Sequence, residues 1–379
     1  QQQTLSGTDA VNAKRLVLDN QLGYRLENSW SYLDVRAGLK ARNYQLFGAS
    51  EADVGHSLNL QQSLPLASLD MGMVLERPLS ITDQLLTQTL EPRITHIRSA
   101  YRTGQNDIPL FDTSYLTATY SSLFDENRFI GYDRLADQNK TSVGLTTRFL
   151  QQDGEQNLSA SIGKAYYQND RKVTLEASES GYFQLDSAAA DSSLMTEIHW
   201  QLQKSLDLSH MMEWDHQDDF SRQQRLNLRF HPEGYTKHRL RLMNLGVNRL
   251  QYLQSDESSP QTYRHQLDTG LFWSIDDRWA ISGRLLRDLK DYDEDERRPV
   301  NPVLEALAGV EYQNCCWRFQ LSYHEYSKTN DDDPIFSTNK YYRFMFTIQF
   351  KGLATLGGST DELLNTSIPG YSRRTYHDY

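Results

Sequence analysis

Across residues 317–326 the chain reads WRFQLSYHEY, and apolar and polar residues alternate. Successive side chains of a strand point to opposite faces. Trp317, Phe319, Leu321 and Tyr323 therefore share one face, and Arg318, Gln320, Ser322 and His324 share the other. The run YRFMFTIQFK at 342–351 repeats the pattern. There Tyr342, Phe344, Phe346, Ile348 and Phe350 form an unbroken apolar face, with Arg343, Thr347, Gln349 and Lys351 opposite. Val143, Leu145, Thr147 and Phe149 alternate with Gly144, Thr146 and Arg148. Leu267, Leu271 and Trp273 alternate with Arg264, Gln266 and Asp268. The helical period of 3.6 is scarce, so the chain predicts strands with one apolar and one polar face.

The connections alternate as well. Asp, Asn, Gly and Pro cluster at Glu27-Asn28-Ser29, Gln152-Asp153-Gly154-Glu155, His231-Pro232-Glu233-Gly234, Ser274-Ile275-Asp276-Asp277 and 312–316, predicting tight turns. Between them lie longer polar segments, near 46–58, 103–137, 169–192, 253–261, 290–301 and 328–339. Tight turns at one end and long loops at the other are the layout of an outer-membrane barrel. A soluble sandwich also alternates, but its strands run about 5–6 residues. The runs here last about 10–14 residues, and a tilted membrane strand needs about 9–11. The expected fold is all-β, a large antiparallel transmembrane β-barrel, with residues 1–351 in the wall and 352–379 a tail on the periplasmic side. Pro65 and Pro92 fall inside extended runs and predict a bulge or a gap in the ladder. The strand count comes to about 15, whereas a single-chain bacterial barrel closes with an even number. That odd count, with an opening Gln1-Gln2-Gln3 that carries no signal peptide, predicts further N-terminal strands beyond this chain.

Composition changes the picture only when set against the strands. Mean hydropathy is −0.68 and net charge −11, which alone suggest a soluble acidic protein. No stretch approaches the roughly 20 apolar residues of a membrane helix. Yet there are 22 Tyr and 14 Phe, and only every second strand residue of a barrel meets lipid. Trp30, Tyr312, Trp317 and Tyr341, near strand ends, suit interfacial girdles. The acidic balance argues against nucleic acid as partner, since phosphate neutralisation needs excess Lys and Arg.

Candidate chemistry is sparse. The only cysteines are the adjacent Cys315 and Cys316. Neighbouring thiols fit disulfide geometry poorly and make no zinc site by themselves. Two buried free thiols acting as small apolar residues are one reading. The acidic runs at 291–298 (DYDEDERR) and Asp331-Asp332-Asp333 read as solvated loops or as oxygen ligands for divalent cations, without calcium-loop spacing. Asp215-His216 with Asp218 and Asp219 reads as a polar loop tip, or as the paired acids and histidine of a barrel protease. Neither a Gly-x-Ser-x-Gly elbow nor a His-Glu-x-x-His pair occurs, and no metal or cofactor site is assigned.

Several blocks together resemble one family. They are GMVLERPLS (72–80), QTLEPR (88–93), SSLFDENRFIGYDRLADQNKTSVGLTTRF (121–149), DRWAISGRLLRD (277–288), LAGVEYQNCCWRFQLSYH (307–324), FTIQFKGLATLG (346–357) and IPGY (368–371). They resemble the barrel region of the LPS-assembly protein family LptD, also called OstA or Imp, from about residue 14 onward, with 169–260 similar mainly in pattern. The resemblance implies a Gram-negative outer-membrane transporter without covalent chemistry. Lipopolysaccharide would be its cargo, an LptE-like lipoprotein its luminal plug, and an LptA-like bridge its supplier through a soluble N-terminal domain. The barrel-assembly machinery would fold it. In such proteins each of two vicinal cysteines bonds to a separate upstream cysteine; carried over, Cys315 and Cys316 are two clasps whose partners lie outside this chain. The oxidising periplasm would preserve such bonds. The last strand, about 338–351, becomes one edge of a lateral gate, with Tyr342, Phe344, Phe346, Ile348 and Phe350 its apolar stripe. Met345 departs from the small residue the family commonly has there. The alternatives are a passive porin-like channel and a barrel protease or phospholipase.

Overall fold

The computed structural model describes residues 2–3, 11–48, 57–81, 84–105, 107–175, 189–217, 219–232, 240–252, 261–289, 302–327, 340–357 and 360–372. Among them fifteen strands are ten residues or longer, in line with the expected count of about 15. The acidic runs 291–298 and 331–333, Asp218, and the Glu233-Gly234 half of one expected turn lie outside the described residues. The chain divides into two compact units, Gln1–Glu197 with Glu213–Asp219, and Ile198–Met212 with Phe220–Tyr379.

The first unit is built on β1 (Val11–Glu27), β2 (Ser31–Phe47), β3 (Asn59–Met73), β4 (Leu75–Ile81), β5 (Gln84–Ser99), β6 (Gln138–Leu150) and β7 (Gln156–Tyr167). All pairings are antiparallel: β1–β2, β2–β3, β3 and β4 in succession with β5, β5–β6 and β6–β7. The two prolines produce gaps and not bulges. Pro65 pairs with Leu39, and the ladder on its other side begins one residue later, at Leu66 with Ser99. Pro92 pairs with Leu145 in an unbroken ladder, while its other side faces the break between β3 and β4. In each case the missing N–H falls where one ladder is absent, which leaves the register intact.

Strands β8 (Leu194–Gln203) and β9 (Leu206–Asp215) contribute to both units. The second unit continues with β10 (Phe220–Phe230), β11 (Leu240–Tyr252), β12 (Gln261–Ser274), β13 (Trp279–Asp288), β14 (Val303–Gln313), β15 (Trp317–Ser327) and β16 (Lys340–Phe350), each antiparallel to the next. A short β17 (Ala354–Gly357) folds back on β16, and the helix α1 (Thr360–Ser367) follows. Asp361 and Glu362 occupy the first turn of α1, where the helix dipole favours acids. Pro369, which cannot continue a helix, and Gly370 at φ +86° stop it.

The expected alternation holds, with an inversion of the usual soluble pattern. On β15 the polar residues Arg318, Gln320, Ser322 and His324 are buried, whereas the apolar Trp317 and Leu321 are exposed. Cross-strand charges join the polar faces: Arg284 of β13 donates to Asp268 of β12 (2.9 and 2.8 Å) and Glu305 of β14 (2.8 Å), and His324 of β15 lies 2.9 Å from Glu305. In the first unit, Asp70 of β3 accepts from Arg93 (3.0 and 2.7 Å) and Thr95 (2.8 Å) of β5.

Candidate functional site: the terminal strand, the cysteine turn and the covered polar faces

The terminal strand β16 sets out its apolar face as its sequence dictates. Phe344 is 74 % exposed and Tyr342 61 %, with Phe346 and Phe350 also exposed and Ile348 partly so. In the first unit Leu16, Leu18, Leu22, Tyr24 and Leu26 of β1 are exposed in the same way. Contiguous apolar area on this scale is rare on proteins that face water and calls for lipid or a partner.

The cysteine turn is one of three built alike. Asn314 accepts, through its side-chain oxygen, the backbone N–H groups of Cys316 (2.9 Å) and Trp317 (2.8 Å). Asn28 does the same for Trp30 and Ser31, and Asp276 for Arg278 and Trp279. An Asx side chain that mimics a backbone turn leaves the two residues after it free to vary. Cys315 and Cys316 occupy those two places, and both are free and exposed, which overturns the reading of two buried thiols. Their sulfurs are 2.8 Å apart, longer than a disulfide bond. The neighbouring Cys315 thiol pushes that of Cys316 up. Beside the turn Tyr312 packs against Trp279 (4.9 Å between ring centroids) and Trp317 (5.0 Å), an aromatic cluster at the strand ends. Lys351, just past β16, holds the same turn: its backbone N–H donates to Cys316 (2.9 Å) and its Nζ to the Asn314 carbonyl (2.5 Å).

The alternation did not predict what covers the polar faces. In the second unit it is the tail. Leu364, Ile368 and Tyr371 enter an apolar cluster with Leu242, Phe272, Ala280 and Leu307, contributed by β11, β12, β13 and β14. Asn244 donates to the Pro369 carbonyl (2.6 Å). Asp361 accepts from both terminal nitrogens of Arg318 (2.7 and 2.8 Å), from Gln320 (3.0 Å) and from the Tyr371 hydroxyl (3.3 Å). Burial, with Glu311 nearby, pushes the Tyr371 phenol up.

In the first unit the cover is the segment between β5 and β6. Asp133, whose side chain is fully buried, accepts from Arg15 (2.8 Å), the Tyr44 hydroxyl (2.9 Å) and the backbone N–H groups of Phe111 (2.7 Å) and Asp112 (2.8 Å). Arg15 also makes a two-pronged bond to Asp112 (3.0 and 2.7 Å). Burial raises the Asp112 carboxyl, but Arg15 and the N–H of Tyr132 outweigh it and hold it at about 2. Asp137 accepts from Arg128 (2.9 Å) and from the N–H groups of Lys172 and Val173. The 3-10 turn Ser121–Phe124 presses on β6 and β7 where Gly144 and Gly163 are paired. A Cβ at Gly144 would lie 2.5 Å from the Tyr120 hydroxyl, and one at Gly163 2.9 Å from Leu123 and from the Val143 carbonyl oxygen, so the two glycines make room for this contact. A cavity of about 550 Å³ remains between this segment and the strands, lined by Asp34, Arg36, Asp70, Arg93, Thr95 and Phe124 among others. The GYDRLAD stretch of the sequence is thus the latch of an inserted segment. Its two acids, Asp133 and Asp137, flanking Arg134 were the available signal.

Of the protease-like constellation, Asp218 lies outside the described residues, and the contacts of two others are these. His216 lies 3.0 Å from Lys164 and 3.5 Å from Asp191, while Asp215 accepts the backbone N–H of Gln217 (3.0 Å).

Long antiparallel strands, exposed apolar faces and polar faces covered by the chain itself define an outer-membrane protein of the β-barrel class. The sequence model of LptD, described as LPS transport system D, matches residues 1–279, and the chain belongs to that family. It is 33 % identical to the LPS-assembly protein LptD of Alcanivorax borkumensis over 355 residues, 93 % of this chain and 42 % of that protein. It is 31 % identical to the LptD of Chromohalobacter salexigens over 388 residues, 97 % of this chain and 45 % of that one. The chain therefore spans less than half the length of these curated relatives. Among solved structures, the ferric enterobactin receptor of Pseudomonas aeruginosa aligns with a TM-score of 0.43 at 10 % identity, covering 92 % of this chain and 56 % of that one. The copper transporter OprC aligns at 0.40 with 12 % identity, over 92 % and 60 %. This is a protein of the Gram-negative outer membrane.

Proposed function

We propose that this chain supplies barrel wall to a translocon that inserts lipopolysaccharide into the outer leaflet through a lateral gate. The observation that carries the reading is membership of the LptD family. Residues 1–351 belong to the wall and 352–379 form a tail on the periplasmic side. An LptE-like lipoprotein plugs the lumen, an LptA-like bridge delivers the lipid through a soluble N-terminal domain, and the barrel-assembly machinery inserts the whole. Strand β16 is one edge of the gate, with Tyr342, Phe344, Phe346, Ile348 and Phe350 facing acyl chains. Backbone groups at membrane depth are costly to leave unpaired, so a gate opens most easily where its ladder is short. The charged, partly aromatic cavity over Asp70 and Arg93 suits hydrated sugar and supports a polar path beside the wall. Cys315 and Cys316, on an exposed turn, each bond to a separate cysteine upstream of this chain.

The test uses the full-length protein in cells, with a photo-reactive residue at Phe344 or, as a control, at the exposed Leu145 of β6. Lipopolysaccharide adducts are expected at 344 and not at 145. Equal capture at both positions, or none at 344, overturns the gate. Mass spectrometry of the same protein without reduction should find Cys315 and Cys316 each joined to a different upstream cysteine; two free thiols would sink the double clasp.

A further inference from the structure

The segment that follows β16 does more than end the chain. We infer that residues 351–357 and 360–371 are a clasp holding the 347–350 end of β16 shut, so that only residues 340–346 of that strand swing when the gate opens. The inference rests on the gate reading above and adds where along the strand opening can occur.

Three contacts converge on one end of β16. First, β17 pairs with it, Thr347 opposite Gly357 through Phe350 opposite Ala354, on the edge away from β15. At those four positions β16 therefore has a ladder on both sides. The ladder ends where Gly357 stands, at φ +104°, with its would-be Cβ 2.2 Å from the Phe346 carbonyl oxygen. Any side chain there would collide with backbone, so the stopping point is written into the sequence. Second, the Thr347 and Thr360 hydroxyls meet at 2.8 Å in a buried position, joining the strand to the start of α1. Third, Lys351 ties the strand's end to the cysteine turn through Cys316 and Asn314.

The clasp is itself anchored. Asp361 sits between Arg318 and Gln320 on the polar face of β15, and both of those side chains are 2 % exposed. Leu364, Ile368 and Tyr371 are set into the cluster drawn from β11 to β14. Peeling the 347–350 end outward would break two ladders, uncover the buried Arg318 and Gln320 and empty an apolar pocket together. Residues 340–346 lie beyond β17, and their ladder to β15 is the bond that opening there would strain. The hinge falls between Phe346 and Thr347, where the second ladder begins.

Hydrogen exchange on the full-length protein in its native complex tests this. In the unmodified protein the amides of 347–350 are expected to exchange about tenfold or more slowly than those of 341–346, as locally opening segments do relative to closed ones. A uniform rate along β16 overturns the clasp, and this reading needs no variant. In the double variant Asp361→Asn/Ile368→Ser the amides of 364–371 should become fast and those of 347–350 should rise to the rate of 341–346. An undisturbed 347–350 after the tail has been freed overturns it equally. The outcome is separate from that of the gate, because photo-capture at Phe344 reports lipid passage whatever the exchange pattern shows.

Discussion

The two units cover their polar faces with different shares of charge and packing. In the first, the segment between β5 and β6 packs Ile108, Leu123, Phe124 and Phe129 into apolar clusters and adds several charge pairs, Asp133 and Asp112 against Arg15 and Asp137 against Arg128. In the second, the tail is latched by an apolar cluster around Ile368 with a single charged clamp, Arg318 to Asp361. A buried charge pair gains little net free energy over an apolar contact, because desolvation offsets its attraction. Its distinctive property is that removing one partner is very costly. The first cover therefore carries groups, Asp133 above all, whose removal strands several partners at once. The second is held by packing that weakens gradually as side chains shrink.

The largest expected effect follows from that difference. Asp133→Ala leaves Arg15 with one partner fewer and removes the acceptor of the Tyr44 hydroxyl and two backbone N–H groups. Arg15 keeps Asp112, so the cost is that of the stranded buried donors, about 1–3 kcal/mol for each. Urea unfolding of the full-length protein in detergent should show it, with a smaller loss for Asp133→Asn. Tyr371→Ala should cost about 3 kcal/mol of tail docking, at the lower end for a buried aromatic. It removes the edge contact with Phe272, centroids 4.9 Å apart. Its readout is protease cleavage after residue 350 while the strands stay intact. If Tyr371→Ala unfolds the strands as readily as Asp133→Ala does, the contrast between a charge latch and a packed tail is broken.

How much of this was legible in the sequence depends on the range over which the physics acts. Strand faces follow from neighbours two residues apart, and β15 and β16 present the faces their alternation predicts. The Asx turns are equally local: Asn28, Asp276 and Asn314 announce them. Pro65 and Pro92 marked real gaps, though only the register shows that each lies opposite a missing ladder. The covers were not legible, because they depend on contacts between residues about a hundred apart, such as Arg15 with Asp112. Nothing in TDELLNTSIPGY by itself says that Asp361 meets Arg318. The glycine pair Gly144 and Gly163 carried a signal, since two glycines in neighbouring strands mark a close approach, but their pairing had to be known first.

The smallest expected effect is also the one that separates the two covers most cleanly. The Asp112 carboxyl is held at about 2, below its ordinary 3.8, chiefly by Arg15 against the opposing effect of burial. A carboxyl lowered on folding stabilises the fold fully above its unfolded value and loses that contribution as pH falls through its folded one. The latch should thus be complete above pH 3.8 and fade towards pH 2. Pepsin works in that window and cuts beside aromatics such as Phe111 and Tyr115. Cleavage between 108 and 132 should accordingly rise as the pH drops from 3.8 towards 2. In Arg15→Gln the rise should begin at higher pH, because the main group holding Asp112 low is gone. The tail is held by Leu364, Ile368 and Tyr371 in their apolar pocket, which carries no charge to lose, so cleavage there should lag. Equal onset at both covers would mean that acid loosens the strands beneath them, and that neither latch acts on its own.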